Sequence, residues 1–219
     1  MIQPAPTFQT KEQYAYTSLR SSILRCELAP NEKIIIDRLS AEMGLSHIPI
    51  RAAIQRLQAE GLIIINPHAS AIVAPLLPEK IDEVFALLES LERAAFRFAA
   101  QKRTDADLDV LTNLVQRMDI AIAEPNSADW LTLNSAFHRK IAVISAMPLL
   151  INFTNRALDE WERISHYYFA NITSTRLPQA QSEHHQIVAL LRARDMDALE
   201  SLAAVHNREA NRSYQSMLK

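Results

Sequence analysis

Three histidines and an asparagine carry the spacing best suited to chemistry. Asn134 and His138 stand four residues apart, so on a helix they project from one face. His184 and His206 fall in two later helical stretches. Imidazole nitrogens gathered at one point inside a helical bundle are the ordinary way to hold zinc or nickel. The chain has seven histidines, however, and these spacings form no contiguous metal motif. On spacing alone, hydrogen-bonded core or surface histidines are the better account, and the metal reading stands beside it. A zinc hydrolase would also want a general base near its open coordination position. No HExxH string or paired-carboxylate spacing supplies one, and Glu183, beside His184, is expected on a different helix face. Catalysis is therefore not expected.

A second set of polar residues lies in IIDRLSAEMGLSHIPIRAAIQRLQAEG, Ile35 to Gly61. Asp37 or Arg38 opens a short helix that runs to Met43, and Gly44 stops it because glycine takes positive φ cheaply. Ser46 suits the N-cap of a second helix, and Pro49 suits its first turn, where a missing N–H is harmless. Ile50, Ala53, Ile54 and Leu57 recur with helical period and give that helix one buried face, leaving Arg51, Gln55, Arg56 and Gln58 off the stripe. A short helix, a glycine turn and a longer helix make a helix-turn-helix, whose second helix enters the DNA major groove. Leu62-Ile63-Ile64-Ile65, the turn Asn66-Pro67-His68-Ala69-Ser70, and Ala71-Ile72-Val73 then read as a two-stranded wing. Arg51 is expected as the main base or phosphate contact, with Ser46, His47 and Arg56 in support. Arg20 and the wing's His68 complete the DNA-facing set.

Charge limits how such a reader works. The chain carries a formal net charge of −2, and residues 1–76 hold seven Lys/Arg against six Asp/Glu. DNA affinity depends on phosphate neutralisation, so one copy this weakly basic binds poorly and two copies on a dimer do better. Cys26 is the single cysteine, which excludes an internal disulfide and fits a reducing cytoplasm. No apolar run reaches 18 residues, and the first residues lack a signal-peptide pattern, so neither a membrane span nor export is expected.

The elements that position these residues are mostly helices. Two glycines and 48% hydrophobic residues in 219 favour long helices around a sizeable core. Residues 11–27 read as a first helix, with Tyr16, Leu19, Ile23 and Leu24 on its apolar face. Pro75-Leu76-Leu77-Pro78 marks a boundary between a domain at 1–75 and one at 78–219. Beyond it the periodicity is helical throughout. Pro78 opens one helix, Thr104 caps a second and Ser127 a third. Pro148 precedes a fourth that carries Phe153, Leu158, Trp161 and Ile164; a fifth spans about 177–194, and Asp195 opens a sixth. The expected fold class is mainly α: an N-terminal winged helix-turn-helix with a small β-hairpin, then a six-helix all-α bundle.

Residues 14–75 resemble the DNA-binding domain of the GntR family of bacterial transcription regulators. The resemblance runs through Ile23 to Pro30, Leu39-Ser40, Gly44-Leu45-Ser46, Pro49-Ile50-Arg51, Glu60-Gly61-Leu62, Pro67 and Val73. Several positions depart from it: His47 replaces the usual Arg, Ile48 a small polar residue and Ala52 a Glu, while Ala69 and Ser70 replace the wing's basic residue and glycine. These bear on the strength and sequence preference of DNA binding.

Residues 78–217 resemble the effector-binding FCD domain of the FadR subfamily, through Asn134…His138, Glu183-His184-His185-Gln186-Ile187 and His206. The resemblance implies a divalent metal on Asn134, His138, His184 and His206 that helps to hold a carboxylate effector. Asn134 stands where Asp is usual, which implies a weakly held ion. It also implies an arginine facing the effector pocket at the place where this chain has Leu88, so a bidentate clamp is lost; Arg139 and Arg163 are the candidates to replace it. The resulting expectation is a cytoplasmic, homodimeric, ligand-responsive transcription regulator. Its partners would be double-stranded operator DNA, a small organic acid and a divalent metal (zinc or nickel), with no membrane. A helical metal- or ligand-binding sensor with weakened or lost DNA binding is the alternative, and a metal-dependent helical enzyme is a more remote one.

Overall fold

The computed structural model describes residues 10–65, 71–123, 128–172 and 176–218. The chain divides into two compact units, Met1–Leu76 and Leu77–Lys219. In the first, α1 spans Lys11–Leu24, α2 Ile36–Met43, α3 His47–Ala59, β1 Ile63–Ile65 and β2 Ala71–Val73. Thr10 caps α1 by accepting from Gln13 N. Cys26 takes a left-handed φ of 57°, and α1 closes at Leu24 rather than at residue 27. Gly44, at φ 64°, ends α2. Ser40 ties that turn shut by donating its hydroxyl to the Leu45 carbonyl at 2.6 Å. Ala15, Leu19, Ile23, Ile50, Ala53, Ile54 and Leu57 form the core on which α1 and α3 pack.

The wing is antiparallel, with Ile63 opposite Val73 and Ile65 opposite Ala71. Lys33 bridges to Ile72 from the outer side, a third short strand contact that the sequence reading did not foresee. His68 and the rest of the wing turn lie outside the described residues, as does Ser127.

In the second unit α4 spans Pro78–Lys102, α5 Asp105–Ala123, α6 Ala128–Ile144, α7 Pro148–Ile172, α8 Arg176–Ala193 and α9 Met196–Met217. These are the six expected helices, and no strand appears among the described residues of this unit. Pro78 sits in the first turn of α4. Thr104 and Asp107 exchange hydrogen bonds at the start of α5, a reciprocal cap. Phe153 departs from the expected apolar face and is about half exposed, while Leu158, Trp161 and Ile164 are buried. α4 packs against α6, α7 and α9, and α5 packs against α6 and α8. On α4 the buried stripe Ile81, Val84, Phe85, Leu88, Ala95, Phe96, Ala99 is interrupted by one buried carboxylate, Glu92. No helix among the described residues is long and apolar enough to cross a membrane.

Candidate functional site

The four residues on α6, α8 and α9 that the sequence singled out come together. Trp130, Asn134 and His138 recur every four residues on α6 and line one cavity. His184 from α8 and His206 from α9 complete a triangle with His138. The ring centroids are 5.4 Å apart for His138–His184, 5.2 Å for His138–His206 and 5.2 Å for His184–His206. One ligand nitrogen from each lies within 4.8 Å of the others, and all three side chains are buried. The Phe96 ring stacks on His138, and the Trp130 and Phe137 rings lie tilted against His184, 6.0 and 5.0 Å between centroids.

The hydrogen bonds fix how two of the rings are protonated. Gln181 donates its amide to the Val115 carbonyl (2.8 Å) and to Asp119 (2.7 Å), so its Oε1 is free to accept. His184 Nδ1 lies 3.2 Å from that oxygen and must be the donor. Its Nε2 therefore carries a lone pair, buried and with no donor among the described residues. His206 Nδ1 lies 2.6 Å from Glu183 Oε2. Burial alone would raise the Glu183 carboxyl, but its bonds to His206 and Arg176 hold it at about 2. An ionised carboxylate only accepts, so His206 also donates from Nδ1 and turns Nε2 outward as the lone-pair nitrogen. Glu92 Oε1 stands 2.6 Å from His138 Nδ1. The other Glu92 oxygen accepts from Asn207 at 2.7 Å. Burial pushes Glu92 up, and the nearby His138, His206 and Asn207 overcome it and hold the carboxyl below its usual range.

Burial is the first cause that holds the His184 ring well below the ordinary imidazole range, reinforced by His206 and His138; it also outweighs Glu183 in lowering His206. Neutral imidazole is the form that binds metal. Asn134 Oδ1 is a further buried acceptor with no donor among the described residues. Among the described residues, the carboxylates of Glu92 and Glu183 and the guanidinium of Arg176 stand around the triangle. Unsatisfied lone pairs and a surplus negative charge both favour a bound cation, so this donor set fits a divalent ion.

A partly open cavity lies beside the triangle. Phe85, Leu88, Leu158 and Trp161 form apolar walls; Asn134, His138, His206 and Arg176 form the polar side. Trp130 Nε1 is buried there and has no acceptor among the described residues. Leu88 does line the cavity, as expected. Arg139 does not: it lies between α6 and α7, where it binds Asp159 at 2.8 Å and the Asn155 carbonyl at 3.1 Å. Arg163 is fully buried on α7 but is not among the cavity-lining residues. The arginine at the cavity is Arg176, which sequence reasoning missed. It donates to both oxygens of Glu183, at 2.9 and 2.7 Å, and to the His206 carbonyl at 3.0 Å. Glu183 accordingly faces inward, contrary to expectation. Arg176 and Glu183 are seven residues apart, two turns on one helix face, which was the available signal. The signal for Glu92 was its place in an apolar stripe.

The helix-turn-helix surface is a second candidate site. Arg51 is exposed on α3 and makes no ion pair among the described residues. Ser46 holds the N-cap position with its side chain making no capping bond, and His47 Nε2 lies 3.1 Å from Asp37. Arg56 and Arg20 are committed inside the unit. The Arg56 guanidinium sits 3.8 Å over the Tyr16 ring and donates to Gln13 at 3.0 Å. Arg20 pairs with Glu60 at 2.9 Å, and the same carboxylate accepts from the Tyr16 hydroxyl. Both arginines fasten α1 to α3, so any contact they make with DNA would come from side chains already held within the unit.

Comparison with known proteins agrees with this division. The model of the "Bacterial regulatory proteins, gntR family" matches residues 11–73, and the FCD domain model matches residues 83–209. The HTH-type transcriptional repressor RspR of Escherichia coli (strain K12) is 24% identical over 209 residues, covering 95% of this chain and 91% of RspR. The solved E. coli McbR/YncC structure aligns with a TM-score of 0.84 at 21% identity, over 96% of this chain and all of that one. A GntR regulator structure from Rhodococcus sp. RHA1 aligns at 0.80 with 17% identity, over 94% and 98% of the two chains.

Proposed function

The chain belongs to the gntR family of bacterial regulatory proteins and carries an FCD domain, and we propose that this domain senses a small carboxylate beside a divalent metal. It is a transcription regulator, and regulators of this family bind operator DNA and typically act as dimers. In the proposal, His138, His184, His206 and Asn134 hold the ion, and ligand binding sets the operator affinity of a homodimer. A dimer also answers the weak positive charge of residues 1–76.

The observation that carries the proposal is the buried lone pair. His184 Nε2 and Asn134 Oδ1 are buried with no donor among the described residues, and a ligand nitrogen of His184 lies within 4.8 Å of one from each of the other two imidazoles. A buried acceptor left unpaired costs roughly 1–3 kcal/mol, and a cation held by these side chains would relieve that cost. A bound divalent ion would supply the positive centre for an anionic ligand group. Glu92, Glu183 and Gln181 orient the three rings from behind. Trp130 Nε1 offers one neutral donor to a ligand oxygen, in place of the guanidinium lost at Leu88. Arg176 is already neutralised by Glu183, so a single carboxylate on an apolar body suits this cavity better than a polyanion.

Protein purified without chelator should contain close to one equivalent of zinc or nickel per chain, measured by mass spectrometry, or should take it up on reloading. The triple variant His138→Ala, His184→Ala, His206→Ala should hold none. Equal metal content in parent and variant would sink the metal reading, and operator affinity indifferent to a panel of small carboxylates on the loaded protein would sink the effector reading.

A further inference from the structure

Ile48 is the most exposed large hydrophobic side chain among the described residues, 80% accessible, and it stands in the first turn of α3. A single exposed apolar residue needs no explanation by itself. Its neighbours give this one a meaning. Ile48, Arg51 and Gln55 follow one another at i, i+3 and i+7, and all three are exposed, opposite the buried stripe Ile50, Ala53, Ile54, Leu57. They form one line along the outer face of the helix that enters the groove, and its N-terminal residues are those that reach base edges.

Each member of that line matches a different feature of the major groove. Arginine pairs with guanine O6 and N7, and glutamine with adenine N6 and N7. The one apolar feature a base pair presents there is the thymine 5-methyl. We propose that Ile48 reads a thymine methyl in each operator half-site, so that thymine specificity sits at the position where this chain departs from a small polar residue. β-Branching favours a single χ1 rotamer on a helix, so little side-chain entropy is lost on contact. Pro49 and the extended Ser46 backbone (φ −72°, ψ 165°) hold the turn that carries it. The inference rests on DNA binding by α3 and is independent of the cavity.

The test uses the full chain. Duplexes are enriched from a random pool, and each thymine of the recovered half-site is replaced in turn by deoxyuridine, which removes only the methyl group. One replacement should weaken binding about fourfold at fixed salt, the effect of burying one methyl-sized group. Ile48→Ala should weaken the thymine duplex by a similar factor and abolish the difference between thymine and uracil there. With 80% of the side chain exposed, this variant removes no core contact. A flat uracil scan in the parent, or a uracil penalty unchanged in Ile48→Ala, overturns the assignment while leaving DNA binding intact. Failure to enrich any sequence overturns specific DNA reading itself, and this inference with it.

Discussion

Glu92 on α4 and His138 on α6 meet with Oε1 2.6 Å from Nδ1, each side chain only 3% exposed. Glu92→Gln keeps the shape and the bond from Asn207 but removes the charge behind the ring. Metal affinity should fall about 10–100-fold, the range seen when such outer partners are lost. Competition with a chromophoric chelator measures it. Unchanged affinity would reduce Glu92 to a packing role.

Asn134→Asp puts an anionic oxygen where a neutral one stands, in the cavity that Arg176, already paired with Glu183, also lines. Without metal the new carboxylate is buried in a cavity that Glu92 also lines, and the melting temperature should drop. With metal the Asp variant should gain more stability than the parent, because ligand binding to the folded state stabilises it in proportion to its affinity. Melting curves with and without chelator on both proteins decide the matter; a metal-induced gain no larger in the Asp variant would remove Asn134 from the ligand set.

Arg176→Met leaves Glu183 buried without its bidentate partner. Breaking a buried pair from one side typically costs about 3–5 kcal/mol, which denaturant unfolding should register. Arg176→Met combined with Glu183→Leu should recover a large part of that loss. Additive losses in the double variant would mean the pair does not act as a unit.

Acid should weaken the second unit through Asp107. Lys140 bonds its carboxylate at 2.6 Å, and the Thr104 N–H and hydroxyl bond it at 3.0 and 2.7 Å, which together hold the group at about 2, below the ordinary 3.8. The unfolded chain takes up that proton more readily than the folded one. The contribution is therefore complete above about pH 4 and disappears as pH falls toward 2. The effect is small, since the pair is solvated. Asp107→Asn should lower the melting temperature at neutral pH and flatten its decline between those limits; an identical acid limb would refute the linkage.

Arg51→Ala should weaken operator binding by about 1–3 kcal/mol if the contact is to a base, or lower the salt slope by about one if to a phosphate. Arg20→Ala and Arg56→Ala should instead lower the stability of the first unit, because their partners are Glu60, Gln13 and the Tyr16 ring. Parental affinity in Arg51→Ala would mean that α3 presents another face to DNA.

Periodicity made the helices legible, and glycine and proline punctuation placed the turn at Gly44 and the starts at Pro78 and Pro148. Asn134 and the three histidines were legible through resemblance more than spacing, because helices far apart in sequence bring them together. Arg176 was not legible, since it lies one residue before an apolar pattern that begins at Leu177 and looks like a solvated end. Arg139 is a candidate only as a replacement for the arginine absent at Leu88; it follows His138 by one residue, which is about 100° around a helix and turns it toward Asp159 on α7. Glu92 is the instructive omission, a charge inside an apolar stripe, where burial demands a partner.

The chain contains two tryptophans, and both Trp130 and Trp161 line the same cavity. Indole emission from the whole protein is thus light from that one chamber, with no contribution from the DNA-binding unit. A titration in which the colour or intensity of that emission moves would report events at the chamber wall on unlabelled protein, even while the other unit is engaged with an oligonucleotide.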